Sequence, residues 1–274
     1  MPIEPERSLP SLDTIVLERH EHALLATLNR PSVLNAIDAR LRADLHRLVE
    51  HVASADDIRV LVLTGEGRGF CSGGDVAGLA AGPEDLSHQN VLLDEYLSAG
   101  DRALALDHLH KPVIAAVNGI AAGSGMSLAL SCDLRVGDSR TRFRTAFVER
   151  ALSPDAGMTY TLPRIVGYAR AADLIFTSRD VAADEAHRLG LLDRLVADDG
   201  AVAAALELAH TIAAKPPVAV RASKQVLKRS ADLALEDVLR LETAALTRSA
   251  RASADRLEAV ASFKERRTAT YLGR

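Results

Sequence analysis

Two near-continuous apolar runs of strand length constrain the fold of this chain most strongly. They are residues 58–65 (IRVLVLTG) and 112–119 (PVIAAVNG). Strands that are apolar at nearly every position, rather than at alternate positions, suit a sheet that is covered on both faces. The two runs therefore predict a parallel sheet with helices packed on its faces, which is the arrangement of an α/β fold.

The remaining pattern predicts further strands and helices around this sheet. Residues 13–18 and 23–28 are short β-prone runs that predict a hairpin. Asp38 stands at an N-cap position before a run with helical spacing, and nearly everything from Asp199 onward has a helical pattern. We therefore expect three divisions along the chain: a disordered tail (1–12), a core that carries the site (13–198) and a helical C-terminal region (199–274).

The composition excludes several classes of protein. The 33 Lys and Arg residues against 37 Asp and Glu give a formal net charge of −4, without the basic excess typical of nucleic-acid binding. No apolar run reaches the ~18 residues that a membrane span needs, and the charged N-terminus lacks the apolar region of a signal peptide. Cys71 and Cys132, the two cysteines, are too few for a disulfide framework. We expect a cytoplasmic protein with no nucleic-acid or membrane partner.

Glycine-rich segments that follow the predicted strands are the first candidates for a ligand site. They are 65–69 (GEGRG), 72–75 (SGGD) and 119–125 (GIAAGSG). A dinucleotide-binding fingerprint would need a third glycine where Leu128 stands, which argues against a nucleotide fold. Two strand-to-helix turns of small residues would instead present backbone N–H groups to one point, as in an oxyanion hole. The alternative is that these glycines serve turns and close packing alone.

Five ordered segments, which run from LNRPSVLNAID (28–38) to DVAADEAHRLGLLDRLV (180–196), together resemble the crotonase (enoyl-CoA hydratase/isomerase) superfamily. The resemblance extends from residue 13 to about residue 265. It implies an α/β fold, a crotonase-like spiral of ββα units with a helical C-terminal trimerisation region, assembled as a homotrimer or a dimer of trimers. It also implies an acyl-CoA substrate, with coenzyme A as part of the thioester, and neither a permanently bound cofactor nor a metal. The segments are LNRPSVLNAID (28–38), IRVLVLTGEGRGFCSGGDV (58–76), KPVIAAVNGIAAGSGMSLALSCDLRV (111–136), LPRIVGYARA (162–171) and DVAADEAHRLGLLDRLV (180–196).

The resemblance implies a set of residues around the thioester. The N–H groups of Gly74 and Ser124 would form the oxyanion hole, and the backbone near Gly74 would meet the adenine and pantetheine end of coenzyme A. Arg30 is a candidate for binding phosphate, although an ordinary solvated arginine is equally expected. The full set of expected acyl-CoA contacts is Arg30, Ser72, Gly73, Gly74, Asp75, Val76, Ala77, Ser124, Phe147, Phe263 and Lys264.

The chain departs from the hydratases of the family at their two catalytic glutamates. Those positions hold Ser127 and Phe147, and neither side chain exchanges a proton usefully near neutral pH. Asp155 stands where some isomerase branches carry an aspartate, and the context FRTAFVERALSPDAG (143–157) most resembles the ring-opening isomerases of phenylacetate breakdown. We expect Asp155 to be the catalytic acid and base, buried against Phe147 and Met158. The alternative is that Asp155 is a helix N-cap.

Three hypotheses for the function follow from the residues. The first is an acyl-CoA thioester isomerase with Asp155 as its acid and base. The second is a weak enoyl-CoA hydratase that uses Asp155 or Glu149, because Glu149 would share a strand face with Phe147. The third is a non-catalytic acyl-CoA-binding scaffold. Outside the site, Arg140, Arg142 and Arg144 alternate and would share one face of a strand, as a subunit interface or a solvated surface.

Overall fold

The computed structural model describes residues 8–75 and 97–274. Its elements fall into two sheets and the helices that cover them. The strands are β1 Ile15–His20, β2 Ala23–Leu28, β3 Val60–Gly65, β4 Gly69–Cys71, β5 Val113–Val117, β6 Ile120–Ala122, β7 Leu134–Gly137, β8 Arg142–Arg144, β9 Val181–Ala182 and β10 Arg194–Leu195. The helices are α1 Ala39–Ser54, α2 Leu97–His108, α3 Ser124–Ser131, α4 Met158–Val166, α5 Tyr168–Thr177, α6 Ala183–Leu189, α7 Ala201–Ala213, α8 Pro217–Ser230, α9 Leu235–Arg251 and α10 Ser253–Glu265.

The larger sheet confirms the α/β prediction. Its strand order is β1-β2-β3-β5-β7-β10, and every neighbouring pair except β1 and β2 is parallel. Both predicted apolar runs are central strands, β3 and β5, and every residue of each is buried. Alternate residues of β3 point to opposite faces: Val60 and Val62 pack under α7, whereas Leu61 and Leu63 join the main core. Burial on both faces explains why the runs show no alternation.

A smaller sheet, with strand order β4-β6-β8-β9, lies at the carboxyl ends of these strands. Three of its four strands, β4, β6 and β8, follow β3, β5 and β7 after short connections, so each of these pairs contributes one strand to each sheet. The connections require close backbone approach: a Cβ on Gly119 would lie 2.2 Å from the carbonyl oxygen of Arg68. The chain therefore steps three times from the large sheet to the small one, which places the ends of β4, β6 and β8 side by side.

Helix α1 begins where the sequence predicts, because the Asp38 carboxylate accepts a hydrogen bond from the N–H of Leu41 at 2.9 Å. Of the predicted tail, the described residues 8–12 have no helix or strand, but Leu9 and Leu12 pack against the core. The four helices predicted beyond residue 198 are present as α7 to α10. In the described residues, no helix combines the length and apolar character that crossing a membrane requires.

At the amino ends of the strands, two buried lysines join the core to the C-terminal helices. The ammonium of Lys111 donates to the carbonyls of Val52 and Ala55 at the end of α1. The ammonium of Lys224, in α8, donates to the Lys111 carbonyl at 2.7 Å and pairs with Asp133 at 2.7 Å. Asp133 also accepts from the N–H of Val113, the first residue of β5. We call Lys111, Lys224 and Asp133 the lysine latch.

Candidate active site

Two glycine turns, one after β4 and one after β6, lie against each other. Gly73 has φ +100°, and a Cβ there would lie 2.8 Å from the carbonyl oxygen of Ala122 and 3.5 Å from the Cα of Gly123. The N–H of Ile37 donates to the Gly73 carbonyl at 2.7 Å. This contact holds the first turn from the side opposite to the second. The close approach of the two turns is possible because neither glycine carries a side chain.

The N–H groups of Gly74 and Ser124 are the polar groups that this arrangement leaves available. Among the described residues, neither N–H takes part in a hydrogen bond. Ser124 is the first residue of α3, so its N–H has no acceptor within the helix and lies at the positive end of the helix dipole. A Cβ on Gly74 would meet no described residue within 4 Å. Two neighbouring N–H donors without a partner among the described residues make these turns the candidate for an oxyanion hole.

The carboxylate of Asp155 lies at the same helix end. It accepts the hydroxyl of Ser124 at 3.1 Å through Oδ1 and at 3.4 Å through Oδ2. Asp155 is half-buried, rather than fully buried as the sequence suggests. It does not cap a helix: α4 begins at Met158, its N-cap residue is Gly157, and no side chain caps it. The N-cap alternative is therefore wrong, and the side chain is directed across to α3 instead.

Of the two hydratase glutamate positions, one contacts Asp155 and the other lies in the core. Phe147 is buried in the core. Ser127 is fully buried, and its hydroxyl donates to the main-chain carbonyl of Asp155 at 3.1 Å. Glu149 lies in a 3-10 turn, not in a strand, and its half-exposed carboxylate pairs with Arg144. The expectation that Glu149 shares a face with Phe147 is thus wrong, and Asp155 is the carboxylate that hydrogen-bonds to the first residue of α3.

The two serine contacts to Asp155 were missed in the sequence. The sequence points to Ser124 for its N–H and to Ser127 because it stands at a hydratase glutamate position. In the structure, both hydroxyls bind the same aspartate. The available signal was the spacing, because residues three apart in a helix share a face.

Arg30 is partly exposed and is engaged by two acidic neighbours. Its guanidinium lies between the carboxylates of Asp38, at 3.2 Å, and Asp75, at 3.1 Å, and it also donates to the carbonyl of Ala36. Ser72 donates its hydroxyl to the Val33 carbonyl at 3.0 Å. Both side chains thus fasten the first glycine turn to the segment that precedes α1.

Some predicted contacts are not assembled within the chain that the structure describes. Phe263 is 86% exposed on α10, and Lys264 beside it is exposed. Between described residues, the side-chain hydrogen bonds of α10 that reach beyond the helix go to the C-terminal segment and not to the glycine turns. Val76 and Ala77 lie outside the described residues. Of the three alternating arginines, Arg140 precedes β8 and pairs with Asp138, so the three do not share one strand face.

Comparison with known proteins yields one family across nearly the whole chain. The family model for enoyl-CoA hydratase/isomerase matches residues 18–274. The 1,2-epoxyphenylacetyl-CoA isomerase of Escherichia coli is 34% identical over 264 residues, which are 96% of this chain and 100% of the relative. The 2,3-dehydroadipyl-CoA hydratase of the same organism is 34% identical over 263 residues, with the same two coverages.

A solved structure gives the same result for the fold. The enoyl-CoA hydratase of Bacillus anthracis superimposes with a TM-score of 0.88 at 31% identity, over 96% of this chain and 100% of that one. The predicted crotonase-like spiral with its C-terminal helices is thereby confirmed. The chain is a member of the enoyl-CoA hydratase/isomerase family, within the crotonase superfamily.

Proposed function

We propose that this protein is an acyl-CoA thioester isomerase that uses Asp155 as its single acid and base. The observation that carries the proposal is the position of that carboxylate. Asp155 is bound to the hydroxyl of Ser124, and the N–H of Ser124 is one of the two unpaired donors of the candidate oxyanion hole. Ser124 thus connects the two functions, because its hydroxyl binds the base and its N–H is a candidate oxyanion donor.

The reaction needs one proton to leave one carbon and return to another. The thioester oxygen accepts hydrogen bonds from the N–H groups of Gly74 and Ser124. Asp155 removes a proton from a carbon conjugated with the thioester, and the electron pair of that C–H bond moves to the oxygen as an enolate, which the two donors stabilise. The carboxylic acid then returns the same proton two carbons away. The double bond has shifted, and Asp155 is again a carboxylate.

A hydratase is the second candidate, because the Escherichia coli hydratase is as similar to this chain as the isomerase is. Hydration needs one group to deprotonate a water and another to deliver a proton to the α-carbon. Ser127 and Phe147 supply neither, and Glu149 is engaged with Arg144 on the surface. Asp155 would have to perform both steps. The pattern of carboxylates therefore favours isomerisation over hydration.

The same proposal includes an assembly, a homotrimer or a dimer of trimers. Helices α8 to α10 expose large apolar side chains, a set formed by Leu227, Leu235, Leu239, Leu246, Leu257, Val260 and Phe263. Clustered apolar exposure on several helices is typical of subunit interfaces. We place Phe263 and Lys264 at a coenzyme A site that is completed on assembly. The cellular site we propose is the cytoplasm, since two cysteines, Cys71 and Cys132, are too few for a disulfide framework.

Product analysis of an acyl-CoA panel tests this function. Enoyl-CoA thioesters with the double bond at either position, together with a ring-epoxide acyl-CoA, are incubated with the wild type, Asp155→Asn and Glu149→Gln. We expect a product of unchanged mass from at least one substrate, lost in Asp155→Asn and retained in the matched control Glu149→Gln. A product that gains the mass of one water would establish the hydratase instead. Binding of acyl-CoA without turnover of any substrate would establish a non-catalytic scaffold.

A further inference from the structure

The first turn of α3 carries two buried serines, Ser124 and Ser127. Residues three apart in a helix lie on the same face, and here that face is turned to the loop that carries Asp155. The Ser124 hydroxyl donates to the Asp155 carboxylate at 3.1 Å, and the Ser127 hydroxyl donates to its main-chain carbonyl at 3.1 Å. One helix therefore holds the aspartate at both ends, through its side chain and through its backbone.

The loop around Asp155 does not hold its own conformation through regular structure. Ala156 and Gly157, the two residues after the aspartate, have φ values of 48° and 80°, in the left-handed region. Ala151, before it, is also left-handed at 55°. A left-handed alanine costs on the order of 1 kcal/mol, so the surrounding contacts must maintain the conformation. Between the 3-10 turn and α4, the serine contacts add to the support from the N–H of Met158, which donates to the Asp155 carbonyl at 3.1 Å.

A third serine on the same helix, Ser131, makes only a local hydrogen bond to its own helix among the described residues and serves as a comparison. Ser131 donates its hydroxyl to the carbonyl of Ser127, four residues earlier, at 2.9 Å, which is the usual local bond for serine within a helix. Ser127 has the same option with Gly123, but that distance is 3.5 Å, longer than its contact to Asp155. The Ser127 hydroxyl thus favours the aspartate over its own helix.

We propose that Ser124 and Ser127 are positioning residues for Asp155. This inference rests on the proposed function and adds to it the groups that aim the base. The Ser124 hydroxyl occupies mainly Oδ1, which leaves Oδ2 to take the substrate proton and return it. Because the N–H of Ser124 also faces the thioester oxygen, the distance between the base and the enolate oxygen is fixed within one residue. Ser127 fixes the backbone from which the carboxylate projects.

Substitutions on α3 separate positioning from folding. We expect Ser124→Ala to lower kcat about 10- to 100-fold with little change in KM, since misplacing a catalytic group costs rate rather than binding. Ser124→Thr, which keeps the hydroxyl, should recover most of the rate. Ser127→Ala should lower kcat less, because the carboxylate keeps its own hydrogen bond. The matched control is Ser131→Ala, whose rate should equal that of the wild type.

A double-mutant cycle makes the test specific to Asp155. If Ser124 acts through the aspartate, adding Ser124→Ala to Asp155→Ala lowers the residual rate no further, because coupled residues are not additive. Equal losses in both backgrounds would overturn the positioning role, as would a wild-type kcat for Ser124→Ala alone. A fully active Asp155→Ala would instead overturn the proposed function. Thermal unfolding of each variant excludes loss of folded protein as the cause.

Discussion

The two ends of the parallel strands use polar groups in opposite ways. In the lysine latch, at the amino ends of β5 and β7, the Lys224 ammonium pairs with the Asp133 carboxylate, and the ammonium groups of Lys111 and Lys224 donate to main-chain carbonyls. At the carboxyl ends of β4 and β6, the N–H groups of Gly74 and Ser124 have no partner among the described residues. The polar groups of the latch are thus paired, whereas the glycine turns leave two donors unpaired among those residues.

The difference follows from what each connection contains. Lys111 and Lys224 have long side chains that reach carbonyl groups of separate elements, so charge is buried only where acceptors surround it. Gly73 has no side chain and packs against the second turn, whereas a Cβ on Gly74 would meet no described residue within 4 Å. We infer that polar groups at the amino ends maintain the fold, whereas those at the carboxyl ends are reserved for a ligand.

The largest expected effect on this comparison comes from Asp155→Asn. We expect its catalytic rate to fall about 10²- to 10⁴-fold, the usual contribution of a positioned acid or base. Its free energy of unfolding should change by about 0.5 kcal/mol or less, because the amide can still accept the Ser124 hydroxyl. Steady-state kinetics and urea unfolding measure the two quantities. A large loss of stability with a retained catalytic rate would mean that the polar groups at the carboxyl ends of the strands maintain the fold rather than serve a ligand.

Lys224→Met tests the amino end. The substitution removes the nearer of two lysine partners of Asp133, leaving Lys228 at 4.0 Å, and removes the bond to the Lys111 carbonyl. Breaking a buried ion pair is strongly destabilising, but Asp133 is 22% exposed and keeps the N–H of Val113. We therefore expect a loss of about 2–3 kcal/mol in the free energy of unfolding. The folded variant should retain the wild-type kcat, and a kcat loss as large as that of Asp155→Asn would show that the two ends are not separate.

Gly73 and Gly74, which are adjacent in the first turn, separate an effect on stability from an effect on turnover. Gly73→Ala should destabilise the protein by about 1–3 kcal/mol, because its φ is +100° and the new Cβ would lie 2.8 Å from a backbone oxygen. Gly74→Ala should leave stability within about 0.5 kcal/mol, since its Cβ meets no described residue within 4 Å. That methyl group stands beside a candidate oxyanion donor, so acyl-CoA turnover should fall. Unfolding and activity assays on both variants test this contrast. A larger loss of stability in Gly74→Ala than in Gly73→Ala, or an unchanged turnover in Gly74→Ala, would contradict the account.

The titration of Lys111 adds a pH-dependent test of the amino end. Burial, aided by the positive charge of Arg221, lowers the pKa of its ammonium to about 8. The unfolded chain keeps this proton to about pH 10. Between these values the unfolded state binds more protons, so the stability of the folded state rises with pH, by at most about 1.4 kcal/mol per pH unit.

Lys111→Met lacks that titration and isolates it from other groups. The unfolding free energy of the wild type minus that of the variant should therefore increase from about pH 8 to about pH 10. Urea unfolding across this range measures it. A difference that stays constant, or shrinks, would mean that the buried ammonium is not disfavoured by burial.

The fold was largely predictable because its strongest signals are local. Continuous apolar runs indicated β3 and β5, and the Asp38 cap fixed the start of α1. The three-residue strands β4 and β6 were missed, since they consist of Gly, Ala and single large residues within turn-like segments. Their pairing depends on the larger sheet already being formed. No short window of sequence contains that information.

The site was predictable in its residue types but not in its hydrogen bonds. Glycine spacing and family resemblance selected Gly74 and Ser124, and the substituted glutamates directed attention to Asp155. The bond between Ser124 and Asp155 joins residues 31 positions apart, and the pairing of Arg30 with Asp75 joins residues 45 apart. Such contacts depend on how the two sheets stack, so no local sequence pattern favours them over solvated side chains.

Proton exchange at the substrate carbon tests the central claim most directly. An acyl-CoA substrate that the panel identifies is incubated in deuterated water, and the exchange of its acidic C–H is followed by mass spectrometry before net conversion. The account predicts that the wild type exchanges this proton and that Asp155→Asn does so about 10²- to 10⁴-fold more slowly, with acyl-CoA binding retained. Undiminished exchange in Asp155→Asn would contradict it, because another group would then be the base.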